Sequence, residues 1–201
     1  MKSMLLMMVP LALGAAACAD DLDHDHDDPD AGDTVPSRVT NTANADGTTT
    51  TRVDASGEAV WVYLDLESKA EVEATATSWD LAFQRTKIMV DGGVSGSGNV
   101  AVAIVDGVDF GGMAVAPGDG YVTDEADGAD MNTDPDLAFL RDMGWYSYNP
   151  MTHVITPRER VYVVRSVEGA YLKVQMINYY DDAGTAGFPT FRWAAIRPPT
   201  P

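Results

Sequence analysis

One stretch, residues 78–99, constrains the fold of this chain more than any other: S-W-D-L-A-F-Q-R-T-K-I-M-V-D-G-G-V-S-G-S-G-N. Trp79, Leu81 and Phe83 fall on one face of an extended strand, with Asp80, Ala82 and Gln84 on the other. The next apolar residues, Ile88 and Val90, stand at even positions, so the phase flips. A single strand cannot present Phe83 and Ile88 to the same side, and a bulge or a break is expected at residues 85–87. Asp91-Gly92-Gly93 and Gly96-Ser97-Gly98 then supply residues that tolerate positive φ, which suits a turn back into residues 100–105 and a core hairpin.

The remainder reads as strands in the same way. Residues 59–66 (A-V-W-V-Y-L-D-L) are β-rich and mostly apolar, as expected for a strand buried on much of both faces. Residues 160–166 and 170–180 are two long β-runs joined by Val167-Glu168-Gly169, a hairpin in which Leu172, Val174 and Met176 share a face. Residues 188–196 form a final strand. Helical periodicity is confined to D-P-D-L-A-F-L-R at 134–141. There Asp134 can cap, Pro135 suits the first helical position, and Gly144 ends the pattern. Between residues 109 and 133 the alternation dissolves into Gly, Asp and Ala, a long loop of the kind that carries function or motion. The fold class is therefore all-β: a single antiparallel β domain over residues 53–197, with one short helix near residues 134–142.

The N-terminal segment has a different character. Met1-Lys2 is a minimal positive region, followed by an apolar run to Ala17 and then the only cysteine, Cys18. Small residues before that cysteine resemble a bacterial lipobox, with residues 1–17 as the signal peptide and Cys18 as the lipidated first residue. Ala15 stands where Leu is commonest, so a plain secretory cleavage after Ala17 is the alternative. With no second cysteine, no internal disulfide can form. Residues 18–52 are expected to be an acidic, disordered tether, of which residues 41–51 either continue the linker or begin a ragged edge strand. His24 and His26 lie there among carboxylates that could hold a divalent cation weakly.

Charge narrows the partners. The chain carries −18 overall, eight of its 31 acids being aspartates between Asp20 and Asp33. An acidic surface excludes a nucleic-acid partner, since phosphate binding requires clustered Lys and Arg. No G-x-S-x-G, H-E-x-x-H or phosphate-loop pattern occurs, and no enzyme is indicated. Asp119, Asp124, Glu125, Asp127, Asp130 and Asp134 are crowded enough to suggest calcium, but their spacing fails the calcium-loop pattern.

The W-D-L-A-F-Q-R-T-K-I-M-V-D-G-G-V-S-G segment resembles the signature of the HmuY-like haem-binding lipoproteins, in which a Trp-Asp-hydrophobic-Ala-Phe strand leads to an Asn/Asp-Gly-Gly turn. A second block, Tyr179-Tyr180-Asp181 through Gly184 to Thr190-Phe191-Arg192-Trp193, resembles that family's closing hairpin, and the resemblance spans residues 60–193. It implies an outer-membrane lipoprotein that binds haem or a related porphyrin for iron acquisition. Membrane contact would be through the lipid anchor alone. The partners implied are haem-carrying host or environmental proteins or an outer-membrane transporter. The alternative function is a non-haem envelope β-module for adhesion, ligand capture or a structural role.

Family members that bind haem clamp the iron between two axial His or Met side chains, with cations for the propionates. His153 is the only histidine of the folded part. It lies near Arg158 and Arg160, roughly where the later family ligand falls. The earlier ligand is implied in the Gly/Asp loop, which holds no histidine. Met131, beside the expected helix, is the preferred thioether there, with Met113, Met143 and Met151 as alternatives.

Overall fold

A computed structural model describes residues 36–128 and 135–200, which belong to one compact unit. The expected signal peptide, Cys18, His24, His26, Met131, Asp130 and Asp134 lie outside the described residues. Among the described residues, thirteen strands account for nearly all regular structure. They are β1 (Val39–Ala43), β2 (Thr49–Val53), β3 (Val62–Asp65), β4 (Ala70–Val72), β5 (Leu81–Gln84), β6 (Lys87–Val90), β7 (Ala101–Asp106), β8 (Tyr121–Val122), β9 (Tyr146–Asn149), β10 (Val154–Pro157), β11 (Arg160–Arg165), β12 (Tyr171–Tyr180) and β13 (Ala186–Ile196). They form a seven-stranded antiparallel sheet ordered β1-β2-β13-β12-β11-β7-β8, a four-stranded sheet ordered β4-β3-β5-β6, and the two-stranded β9–β10 hairpin. Among the described residues no helix is long and apolar enough to cross a membrane.

The main core lies between the two larger sheets. Leu64, Leu81, Phe83 and Ile88 of the small sheet meet Tyr162, Leu172, Val174 and Phe191 of the large one. Phe83 and Phe191 stack at 5.6 Å between ring centroids. The opposite face of the large sheet is covered by the segment after β7, where Ala103, Ala116 and Val163 form a second, smaller cluster. This two-sided burial explains why β11 reads V-Y-V-V, with no polar alternation. The expected β11–β12 hairpin is present, in register Val164↔Leu172, and Leu172, Val174 and Met176 all point into the main core. β13 runs without a break through Pro189, which sits where the β12–β13 ladder is irregular and loses no regular bond.

Residues 78–99 are organised differently from the expected single hairpin. The phase flip is a complete chain reversal: β5 and β6 pair antiparallel in register Gln84↔Lys87, leaving Arg85 and Thr86 as a two-residue turn with Arg85 at φ 54°. Reversal satisfies the same parity requirement as a bulge, since Phe83 and Ile88 are direct cross-strand partners and both are fully buried. Consequently the glycine-rich segment is no hairpin turn. It carries the chain from the small sheet to β7 in the large one, where the neighbours are β11 and β8.

Two glycines there are dictated by space. A Cβ on Gly92 would lie 2.1 Å from the Val100 carbonyl oxygen, and one on Gly93, at φ 66°, would lie 1.8 Å from the Asp124 carbonyl oxygen. Beside them, Asp91 Oδ1 accepts the Gly98 N–H at 2.9 Å, so the D-G-G-V-S-G-S-G motif closes on its own aspartate.

Two boundaries move. The tether expected to reach residue 52 ends earlier, because β1 and β2 are strands of the large sheet. Thr49, Thr51 and Val53 are buried on alternate positions, and the Thr51 hydroxyl accepts a hydrogen bond from Trp193 Nε1 at 2.9 Å. Threonine composition alone did not separate linker from strand, although it is a strand-forming residue. The short helix expected near 134–142 is a single 3-10 turn, Ala138–Leu140. It stops at Arg141, whose backbone is extended (φ −64°, ψ 157°), and Asp142, Met143 and Gly144 follow at positive φ (51°, 69° and 72°), which cannot resume a right-handed helix.

Candidate functional site

The β9–β10 hairpin stands apart from both main sheets and carries His153 at its tip. Its strands pair in register Asn149↔Val154, so residues 150–153 form the loop. Asn149 builds that loop. Its side-chain Oδ1 accepts the Met151 and Thr152 N–H groups at 2.9 and 3.3 Å, and its carbonyl accepts the His153 N–H at 2.8 Å. His153 closes the loop at φ 58°, in the left-handed region. Its ring Nδ1 lies 2.5 Å from the Tyr148 hydroxyl.

The hairpin exposes apolar side chains on both faces and at its tip: Tyr148, Met151 and Val154 are 52%, 88% and 43% exposed. Its base is firmly held. Trp145 is fully buried, donates from Nε1 to the Thr86 carbonyl at 2.9 Å, and packs against the rings of Tyr146 and Tyr179. On the second strand, the Tyr180 hydroxyl accepts the Ile155 N–H at 2.7 Å.

The two arginines expected near His153 have different fates. Arg160 is buried, forks onto both Asp106 carboxylate oxygens at 2.9 and 3.0 Å, and donates to the Asp142 and Gly144 carbonyls. It is a structural clamp on the strained 142–144 turn and is not free to meet a propionate. Arg158 uses Nε on the Met143 and Tyr146 carbonyls and otherwise lines an open cleft of about 610 Å³ at the foot of the hairpin. Phe110, Ile177 and Arg192 line the same cleft, with Asp109 and Glu159 also on its wall. Its volume lies within the range of small-molecule sites.

The methionines separate clearly. Met151 shares the hairpin tip with His153. Met143 sits before the hairpin base, 77% exposed on its positive-φ turn, with the whole of β9 between it and the tip. Met113 is half-buried against the smaller cluster on the outer face of the large sheet, and its carbonyl accepts Lys173 Nζ at 2.9 Å. As for the acidic loop, Asp124 is turned inward and nearly fully buried. Its two oxygens accept the Val90 and Ala138 N–H groups at 3.0 and 2.7 Å, tying β6 to the 3-10 turn. Burial pushes its carboxyl up, partly offset by those donors.

Sequence reading missed a second carboxylate group. Asp65, Glu67 and Asp80 place ligand oxygens within 4.8 Å of one another. Asp80 is fully buried. Its Oδ2 accepts the Leu66 N–H at 2.8 Å and its Oδ1 the Val167 N–H at 2.9 Å, while Glu67 Oε1 accepts from the Ser166 hydroxyl. The cluster joins the end of β3 in the small sheet to the β11–β12 turn in the large one. Burial, with a further push from Glu67, raises Asp80 to about 7 against the two backbone donors that favour its charged form. Strand alternation alone could only place Asp80 opposite Leu81; that this second face is also covered required the other sheet.

Comparison with known proteins bears on this arrangement. A family model described as HmuY protein matches residues 57–193, well over half of the chain. The chain belongs to the HmuY family. No curated protein is matched. Solved structures with the same fold include a candidate lipoprotein of Bacteroides fragilis, at 22% identity and TM-score 0.57, covering 80% of this chain and 95% of that one. A candidate HmuY-like heme binding protein of Bacteroides vulgatus is 19% identical with TM-score 0.57, covering 79% and 97%. The apo HmuY analog of Tannerella forsythia is 16% identical with TM-score 0.56, covering 79% and 96%. At these identities the neighbours show the shared all-β fold.

Proposed function

We propose that this HmuY-family protein binds haem or a related porphyrin at the β9–β10 hairpin, as a binding protein without catalytic chemistry. The observation that carries the reading is the hairpin tip, where a histidine and a thioether are presented outward on a braced loop among exposed apolar side chains. The donor set fits porphyrin iron. The ring of His153 uses only Nδ1 in hydrogen bonding among the described residues, and the exposed Met151 beside it offers apolar surface to a flat macrocycle. His153 is the proposed axial donor, with Met131 as its partner and Met113, Met143 and Met151 as alternatives. Of these, Met143 and Met151 belong to the hairpin and its approach. Arg158 and Arg192 are the cations that line the neighbouring cleft toward propionates, Arg192 already donating from Nε and Nη2 to Gln175. Bound haem would supply a redox-active iron whose capture serves iron acquisition. Anchored through Cys18 in the outer membrane, the domain would take haem from carrier proteins or pass it to a transporter.

Titration of the protein with hemin tests the reading. A shifted Soret band saturating at one equivalent is expected, and it should be lost or strongly displaced in His153→Ala. An unshifted spectrum at micromolar hemin would favour an envelope β-module with another ligand.

A further inference from the structure

We propose that Tyr148 is the positioning residue for His153, fixing the tautomer and the direction of the imidazole so that Nε2 is the atom offered to a metal. This rests on the haem reading above and names a residue that neither the signature blocks nor the spacing of His and Met singled out. Both ends of the contact are held by backbone. Tyr148 precedes Asn149, whose main chain and side chain accept three N–H groups of the loop. His153 is held at φ 58° by its own N–H bond to Asn149. The opposing residue, Ile155, pairs with Tyr148 across the strands and is itself bonded to Tyr180. The Tyr148 hydroxyl therefore meets Nδ1 at 2.5 Å with little backbone freedom on either side, the rings inclined at 52°.

The chemistry follows from the two nitrogens. An imidazole that gives the Nε2 lone pair to a metal keeps its proton on Nδ1, and that N–H needs an acceptor. The phenol oxygen accepts it, which favours the Nδ1–H tautomer and leaves the Nε2 lone pair free. Accepting the Nδ1 proton also increases the electron density at Nε2, which favours ferric over ferrous iron. Without Tyr148 the ring would keep its donor atoms but lose its preferred orientation on an exposed loop.

The test uses the full-length protein and the variants Tyr148→Phe, His153→Ala and the pair combined. Without hemin, nitrogen NMR of the His153 ring is expected to show one dominant tautomer, which becomes a mixture in Tyr148→Phe; equal mixtures in both would overturn the assignment. With hemin, Tyr148→Phe should weaken binding about 10-fold and raise the midpoint potential of the bound iron, with no further loss in the His153→Ala background. A Tyr148→Phe protein with wild-type affinity and potential overturns the assignment alone. So does an equal loss in the His153→Ala background, which would make Tyr148 a direct contact. A Soret change that survives His153→Ala but not Tyr148→Phe would make the phenol itself the ligand. A wild-type protein that leaves the Soret band unmoved overturns the haem reading and this assignment with it.

Discussion

Replacing Trp145 by alanine is expected to lower the free energy of unfolding by about 3–5 kcal/mol, the range for removing a large buried aromatic. Trp145 is 0% exposed, so the whole indole volume becomes a cavity. Its ring packs at 4.9 Å from Tyr146 and 5.8 Å from Tyr179, contacts that a smaller side chain cannot replace. Its N–H bond to the Thr86 carbonyl also disappears, leaving an acceptor of the β5–β6 turn without its partner. The loss falls at the point where the hairpin joins the body, since the Trp145 carbonyl also accepts the Arg158 N–H that closes the hairpin base. Urea unfolding of wild type and Trp145→Ala measures the effect. Trp145→Phe, which keeps most of the volume but not the donor, should recover more than half. A cost below about 1 kcal/mol would mean that the base of the hairpin does not depend on this side chain.

The second large effect concerns Asp80. Its carboxyl titrates in the folded protein at about 7, against an ordinary value of 3.8, mainly because it is buried. The folded state therefore holds a proton that the unfolded chain releases between about pH 4 and pH 7. The contribution of this group is fully present below the ordinary value and is lost as pH rises through 7. That gap corresponds to about 4 kcal/mol. Asp124 is raised by burial and acts in the same direction, so the wild type should be markedly less stable at pH 8 than at pH 5 in urea titrations.

Asp80→Asn separates the two carboxyls. It removes the titration, retains one acceptor for the Leu66 or Val167 N–H, and should flatten the pH dependence. Asp80→Ala leaves both N–H groups buried without an acceptor and should cost about 2–6 kcal/mol at pH 5. An Asp80→Asn protein that keeps the wild-type pH dependence would show that Asp80 is not the group responsible.

Much of the architecture was legible from period alone. Alternation at Trp79–Phe83, the β-runs that became β11 and β12, and the closing strand β13 all report burial on a pleated surface, which is a local property of the residues. The D-G-G segment was legible as a place where side chains do not fit, but its destination was not. Glycine marks a permissive backbone and says nothing about which sheet the chain enters next. The break at residues 85–87 was predicted and its nature was not, because a bulge and a reversal restore the same parity. β1 and β2 were ambiguous for a related reason: threonine and asparagine suit a linker as well as an edge strand until Trp193 is found on the Thr51 hydroxyl.

At the candidate site the division is sharper. His153 stood out because it is the only histidine of the folded part, and chemical type alone marks it as a donor. Its orientation by Tyr148, the removal of Arg160 into a buried clamp, and the separation of Met113 from Met151 depend on which elements pack together.

Residues 78–99 by themselves determined buried strands, a break at residues 85–87 and backbone positions that want glycine, and their resemblance to the HmuY signature implied that family's all-β fold. Tertiary structure alone decided that Asp80, within that same stretch, is a buried proton-holding bridge between two sheets. A carboxylate's charge state is set by what covers it, and its cover, Glu67, Ser166 and Val167, comes from beyond the stretch, most of it nearly ninety residues away in the chain.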